Sequence, residues 1–180
     1  MTFPEDPMIL EYILSADKRN EGFRYLVGKH KEKLYWHIRR MVNDHEDADD
    51  VLQNTFLKVV KNIDGFQQQS SLYTWLYRIA TNECINFIQS RKNRMHESLD
   101  VVAFSDAGSQ AYFDEEKTLN HLSNAINLLP TKQKMVFNMR YYDEMPYQDI
   151  ADITETSVGA LKASYHHAVK KIEEHLKSTI

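Results

Sequence analysis

The 180-residue chain contains a single cysteine, Cys84. That excludes an intrachain disulfide and a zinc site built from several cysteines. Glycine occurs 5 times and proline 4 times. So few of either cannot supply many tight turns, and a mostly helical chain is predicted. No uncharged apolar run approaches the roughly 20 residues needed to cross a bilayer. The first residues, MTFPEDPMILEYIL, are acidic where a secretory signal is basic. The expectation is a cytoplasmic protein without membrane insertion. A positive balance is lacking too: the formal net charge is −4, which argues against a protein that simply coats DNA. There is no phosphate-cradling glycine loop, no HExxH or GxSxG motif, and no convincing pair of catalytic carboxylates. Neither an enzyme nor a bound cofactor is expected.

What is present is ordinary globular material, 42% hydrophobic and 27% charged. The charges are unevenly spread. Residues 20–96 hold 12 Lys/Arg against 9 Asp/Glu, residues 97–117 hold 1 against 6, and residues 118–180 hold 7 against 7. A mildly basic first half, an acidic stretch and a neutral second half suggest two modules, 1–96 and 118–180, joined by a linker at 97–117. The fold class predicted is all-α, with two small helical domains.

Hydrophobic spacing places the helices. A short one is predicted over about 7–17. Phe23, Leu26, Val27, His30, Leu34, Ile38, Met41 and Val42 mark one face of a long one. The next runs from about Ala48 to Ile63, with Asp47 as N-cap and Gly65 as its stop. Its buried stripe is Ala48, Val51, Leu52, Thr55, Val59 and Ile63, leaving Asp49, Asp50, Gln53, Asn54, Lys58 and Lys61 outside. After the QQQSS loop, a helix from Ser71 carries Leu72, Trp75, Leu76, Ile79, Ala80, Cys84, Phe87 and Ile88 on its apolar side. Thr74, Arg78, Thr81, Asn82 and Gln89 mark its polar side, and it ends in the basic SRKNR. In the second module, a helix from about Thr118 breaks at Pro130. Helices over Thr131–Tyr142 and Tyr147–Ile153 follow, and then a last helix capped by Ser157.

A short helix, a four-residue turn and a long helix make a helix-turn-helix pattern. The outer face of the long helix carries Gly159, Lys162, Ala163, His166, His167, Lys170 and Lys171. Small residues permit close approach to DNA, and cations reach phosphates. The same helix pair also suits a bundle that binds nothing. In SSLYTWLYRIATNECINFIQSRKNR, aromatics can stack unpaired bases and amides can read base edges. Trp75 fits either that role or the core. Asp47, Asp49 and Asp50 lack the glycine and terminal glutamate of a calcium loop, so capping and a partner surface fit them better than a cation. His166 and His167, as helix neighbours, point about 100° apart and make a poor metal pair.

Two stretches carry a resemblance. DADDVLQNTFLKVVKNIDGF with SLYTWLYRIATNECINFI resembles region 2 of extracytoplasmic-function sigma factors. INLLPTKQKMVFNMRYYDEMPYQDIADI with SVGALKASYHHAVKKIEEHL resembles their region 4, in wording like that of the Bacteroidetes type. The resemblance implies a sigma factor that binds core RNA polymerase and directs promoter recognition, DNA melting and initiation, without a catalytic role of its own. Region 2 would engage the polymerase clamp helices and the −10 element, and region 4 the flap and the −35 major groove. The acidic linker would be either a solvated tether or a mimic of nucleic acid in the polymerase channels. The chain would be a monomer when free, and an anti-sigma protein is a further partner the family allows.

Carried over by position, the D-x-x-Q of the polymerase-binding helix falls on Asp50 and Gln53, and the docking candidates are Asp49, Asp50, Gln53, Asn54 and Lys58. The base-capturing loop falls on Phe66–Ser71. The −10 candidates are Phe66, Gln67, Gln68, Gln69, Thr74, Trp75, Tyr77, Arg78, Asn82 and Arg91. The −35 candidates are Ser157, Gly159, Lys162, Ala163, His166, His167 and Lys170. The chain departs from the family pattern at Asn54, where glutamate is usual, and at Asn86 and Gln89, where aspartate and arginine are usual. Ser164 and His167 stand where two arginines are common. Two rival readings are a free-standing helix-turn-helix regulator, with residues 20–96 as a sensor, and a helical adaptor without nucleic-acid function.

Overall fold

A computed structural model describes residues 2–97 and 114–179, with the side chains of 95–97 and 114–119 left out. Among the described residues there are eight α-helices and one 3-10 turn, and no strand. The chain divides into two compact units, the first built mainly on residues up to Ile88 and the second mainly on those from Gln89 onward.

In the first unit, α1 (Asp6–Leu14) packs on α2 (Arg19–Val42), and α2 on α3 (His45–Asn62). The 3-10 turn η1 (Ile63–Gly65) extends α3, and α4 (Leu72–Glu97) follows the loop. Ile9 and Ile13 of α1, Leu26, Leu34 and Ile38 of α2, Val51 and Val59 of α3, and Leu76, Ala80 and Cys84 of α4 form the interior. The predicted stripes therefore meet one another. Close helix contact requires Gly22: a Cβ there would lie 2.7 Å from the Ile13 backbone nitrogen. Further along α2, the buried His30 Nε2 lies 3.1 Å from the Asp6 carboxylate, which also holds Lys29 at 2.8 Å. Burial pushes the His30 imidazole pKa down, while the Asp6 carboxylate opposes that shift.

Local details correct the sequence expectations. The first helix ends at Leu14, where Ser15 turns extended. The α3 N-cap is Asp44, not Asp47: the Asp44 carboxylate accepts from the Asp47 amide at 3.1 Å. A helix accepts such a cap from a residue with extended backbone just outside it, and Asp44 has that conformation. Gly65 does not adopt a left-handed conformation; α3 runs out through the 3-10 turn instead. Among the described residues, the left-handed positions are Asn43, Gln68, Glu144 and Glu155.

In the second unit, α5 (Asp114–Asn127) starts four residues earlier than expected, and α6 (Thr131–Tyr141), α7 (Tyr147–Thr154) and α8 (Val158–Thr179) follow. Helices α5 and α6 both pack on α8. Their shared core is Ala125, Ile126, Leu129, Phe137, Ala168 and Ile172, flanked by Leu122, Tyr165, Val169 and Leu176. The expected linker, 97–117, falls largely on residues 98–113, outside the described residues, and its two ends are helical.

Candidate polymerase and promoter interfaces

Helix α3 buries Ala48, Val51, Leu52, Thr55 and Val59 and exposes Asp49, Asp50, Gln53 and Asn54. Thr55 is comfortable inside because its hydroxyl donates to the Val51 carbonyl at 2.8 Å. Asp50, Gln53, Asn54 and Leu57 share one face by helical spacing. Leu57 is 53% exposed and Val60 45%. Sequence reasoning missed both as surface residues, although they stand outside the buried stripe and that was the available signal. The outer face is thus mixed, apolar as well as acidic and amide. Lys58 is engaged: its ammonium binds Glu83 on α4, tying the two helices together.

The loop after η1 leads into α4. Phe66 packs its ring against Trp75 with centroids 5.0 Å apart, and both are half-buried. Gln67, Gln68 and Gln69 are exposed, with Gln68 left-handed. At the far end, the Ser71 hydroxyl accepts from the Thr74 amide at 3.0 Å and caps α4. Trp75, Arg78 and Asn82 follow one another at spacings of three and four, so they share a face. Arg78 is half-buried, and Asn82 and Arg91 are exposed.

Two −10 candidates lie inside. Tyr77 is 2% exposed, donates its hydroxyl to the Lys33 carbonyl at 3.3 Å, and faces His37 at 5.0 Å between centroids. Thr74 is buried, with its hydroxyl 2.8 Å from that of Ser71. Neither ring nor hydroxyl is free to meet a base. Thr81, expected on the polar side, is also buried and bonds His37 Nε2 at 3.0 Å. In each case a polar atom is kept inside by a hydrogen-bond partner, which removes most of the cost of burial.

In the second unit the turn between α7 and α8 is made without glycine. Glu155 is left-handed, and the Thr156 amide reaches back to the Ala151 carbonyl at 3.3 Å. That is the bonding of a helix C-cap of the Schellman kind. Ser157 then caps α8 as expected, accepting from the Ala160 amide at 3.3 Å. Helix α8 buries Leu161, Ala168 and Ile172. Gly159, Lys162, Ala163, His166, His167 and Lys170 are all exposed on it. A Cβ added to Gly159 would meet nothing within 4 Å, so the fold itself does not require a glycine there. Lys162 lies over the Tyr147 ring of α7 at 5.9 Å, and Lys170 faces Glu174 at 3.9 Å. Among the described residues no cluster of three or more ligating side chains could hold a metal. Nor is any helix long and apolar enough to cross a membrane, among the residues described.

The family profile Sigma-70 region 2 matches residues 26–94, and Sigma-70, region 4 matches residues 119–172. The chain belongs to the sigma-70 family, in its extracytoplasmic-function group. It is similar to RNA polymerase sigma-H factor of Pseudomonas aeruginosa, 29% identical, with 98% of this chain and 96% of that protein covered. The ECF RNA polymerase sigma factor SigW of Bacillus subtilis is also 29% identical, covering 94% and 97%. Among solved structures, CnrH in complex with the cytosolic domain of CnrY has the same fold, with a TM-score of 0.71 at 21% identity over 96% of this chain and 97% of that one. The sigma factor RpoE in complex with the anti-sigma factor NepR, from Bartonella quintana, gives 0.69 at 23% identity over 86% and 96%.

This sigma factor is therefore an alternative one, directing promoter-specific initiation by RNA polymerase. Both expected regions are present in the expected order, which removes the free-standing regulator and the adaptor as readings. Sigma factors in general are not enzymes.

Proposed function

We propose that residues 1–96 act as the polymerase-docking and −10 module, that residues 118–180 act as the −35 module, and that 97–117 join them. The observation that carries this reading is the segregation of exposed chemistry. The outer face of α3 offers Asp50, Gln53, Asn54 and Leu57 to a protein surface. The α4 face with Arg78 and Asn82 belongs to the helix that follows the exposed glutamine loop. The α8 face combines small residues with cations. The clamp helices take the first, the −10 strand the second and the −35 major groove the third. Asp49 and Lys58 lie on α3 as well, Lys58 bound to Glu83, Arg91 lies further along α4, and Ser157 serves mainly as a cap. The protein itself performs no chemistry, and it works in the cytoplasm where the polymerase is. Since a solved structure of the same fold holds the anti-sigma factor NepR, an anti-sigma protein is a fitting partner here too.

The test is promoter opening. Arg78→Ala should reduce transcription from a linear duplex more than from a template already unpaired at −10, because the side chain acts on the separated strand. Equal losses on both templates would assign Arg78 to folding or docking.

A second expectation concerns α8. An arginine guanidinium is charged across the whole working pH range and donates in a fork to phosphate. His167→Arg should add about one phosphate contact to the polymerase-bound complex. The log–log salt slope of −35 binding should steepen by about 0.9. The gain should be similar across −35 sequences, since phosphate contacts carry little base information. An unchanged slope would place His167 away from the DNA.

A further inference from the structure

The loop proposed to receive a −10 base is attached to the rest of the first unit at two ends. One end is the Ser71 cap of α4. The other is Asp64, in the turn immediately before Phe66, and a single side chain from far back in the sequence grips it. The Arg19 guanidinium donates from Nη1 to Asp64 Oδ1 at 2.8 Å and from Nη2 to Asp64 Oδ2 at 2.9 Å. Nη1 also donates to the Ile13 carbonyl at 3.1 Å, near the end of α1. The guanidinium carbon lies 5.4 Å from the Phe23 ring centroid. One side chain at the start of α2 thus joins three places: the last turn of α1, its own helix, and the stem of the loop.

The chemistry suits a fixed hinge rather than a casual surface pair. A forked guanidinium–carboxylate contact fixes orientation as well as distance, which a lysine cannot do. Arg19 is only partly exposed, at 36% of its side chain, and Asp64 more so, at 61%. The mutual hydrogen bond raises the Arg19 pKa and holds the Asp64 carboxyl below its usual range. Beyond Asp64 a second anchor holds the chain: the Phe66 ring packs on Trp75 with centroids 5.0 Å apart. The Phe66 amide bonds the Ile63 carbonyl at 3.1 Å, and the exposed glutamines begin next. Gln67–Gln69 therefore leave a stem held at two points, Arg19 on Asp64 and Phe66 on Trp75.

We propose that Arg19 is a positioning residue for promoter opening, pinning Asp64 so that the Phe66–Ser71 loop meets an unpaired −10 base in one geometry. This rests on the reading of that loop as the −10 base-capture element. Arg19 touches no DNA in this scheme; its effect passes through Asp64.

The experiment uses the full-length protein bound to core polymerase. Affinity is measured for forked templates with an unpaired −10 strand, substituted at one base at a time. Arg19→Gln and Asp64→Asn are the test variants, singly and together. Asp64→Asn is isosteric, Arg19→Gln is polar but shorter, and thermal melting of each free variant checks the fold. A triple alanine variant of Gln67, Gln68 and Gln69 serves as the loop control. Discrimination at one −10 position should fall about two- to fivefold in either single variant, the scale an exposed ion pair can carry. The double variant should lose no more than a single one, because both changes break one contact. Core polymerase affinity should stay as it was. Arg19→Lys, which keeps the charge and loses the fork, should recover only part of the discrimination. If the loop control loses discrimination while Arg19→Gln and Asp64→Asn keep it, the loop reading stands and the positioning role is overturned. If the loop control also keeps full discrimination, the loop reading falls and the positioning role falls with it. Additive losses in the double variant would also overturn it, by separating Arg19 from Asp64.

Discussion

Phe137→Ala should unfold the second unit while leaving the first intact. Phe137 is buried in the core that α5, α6 and α8 share. Its ring lies 5.2 Å from Tyr141 and 5.8 Å from Tyr165, nearly parallel to both. Truncating a buried phenylalanine to alanine costs about 3–5 kcal/mol, through lost transfer energy and the cavity left behind. Domains of this size bury a small core and are only marginally stable, so a loss of that scale is most of what holds the unit together. Residue-resolved amide hydrogen exchange checks it. Protection should vanish from α6 and α8 and persist in α2 and α4. Full protection of α8 in the variant would show that the aromatic stack contributes little. In transcription, the same variant should lose its dependence on the −35 sequence.

Asp50→Ala and Gln53→Ala should weaken binding to core polymerase without unfolding the protein. Both side chains are exposed on α3, on the face opposite Val51, Thr55 and Val59, so neither change opens a cavity. If docking desolvates them, each lost polar contact costs about 1–3 kcal/mol, which is roughly 5- to 150-fold in affinity. Leu57→Ala belongs to the same series. Leu57 is 53% exposed, so covering the rest at an interface is worth about half of the roughly 1.5–3 kcal/mol for a whole leucine. Calorimetry or fluorescence anisotropy with core polymerase gives the affinities, and far-UV circular dichroism the helicity. Unchanged affinity with unchanged helicity in all three variants would move the docking surface off α3.

How much of this was legible in the sequence depends on the distance between partners. The α2 stripe from Leu26 to Val42 and the α8 stripe through Leu161, Ala168 and Ile172 follow from spacing alone, because helical periodicity is local. The Ser157 cap is local as well. The Asp44 cap was harder to choose, since NDHEDADD offers several carboxylates and only backbone conformation selects among them. Tyr77, Thr74 and Thr81 were misplaced for a different reason. A polar residue can lie inside once a partner is supplied, and the partners of Tyr77 and Thr81, Lys33 and His37, stand 44 residues away in sequence. The Arg19–Asp64 contact spans 45 residues and left no trace in local pattern. Leu57 and Val60 could have been found, because an apolar side chain off the buried stripe of an amphipathic helix marks a surface that something else covers. On α8, the exposed candidates Gly159, Lys162, Ala163, His166, His167 and Lys170 all emerged where spacing put them.

This protein is expected to select promoters only as part of the polymerase. Its net charge of −4 gives it little of the non-specific phosphate attraction on which free DNA-binding proteins rely. The most direct measurement is run-off transcription from a genomic promoter library, with core polymerase and the protein together and apart, alongside gel shifts of the free protein at physiological salt. Discrete start sites should appear only when both are present, and the protein alone should shift no promoter fragment specifically. Tight, sequence-specific binding by the free protein, with no new start sites upon adding core polymerase, would contradict the account.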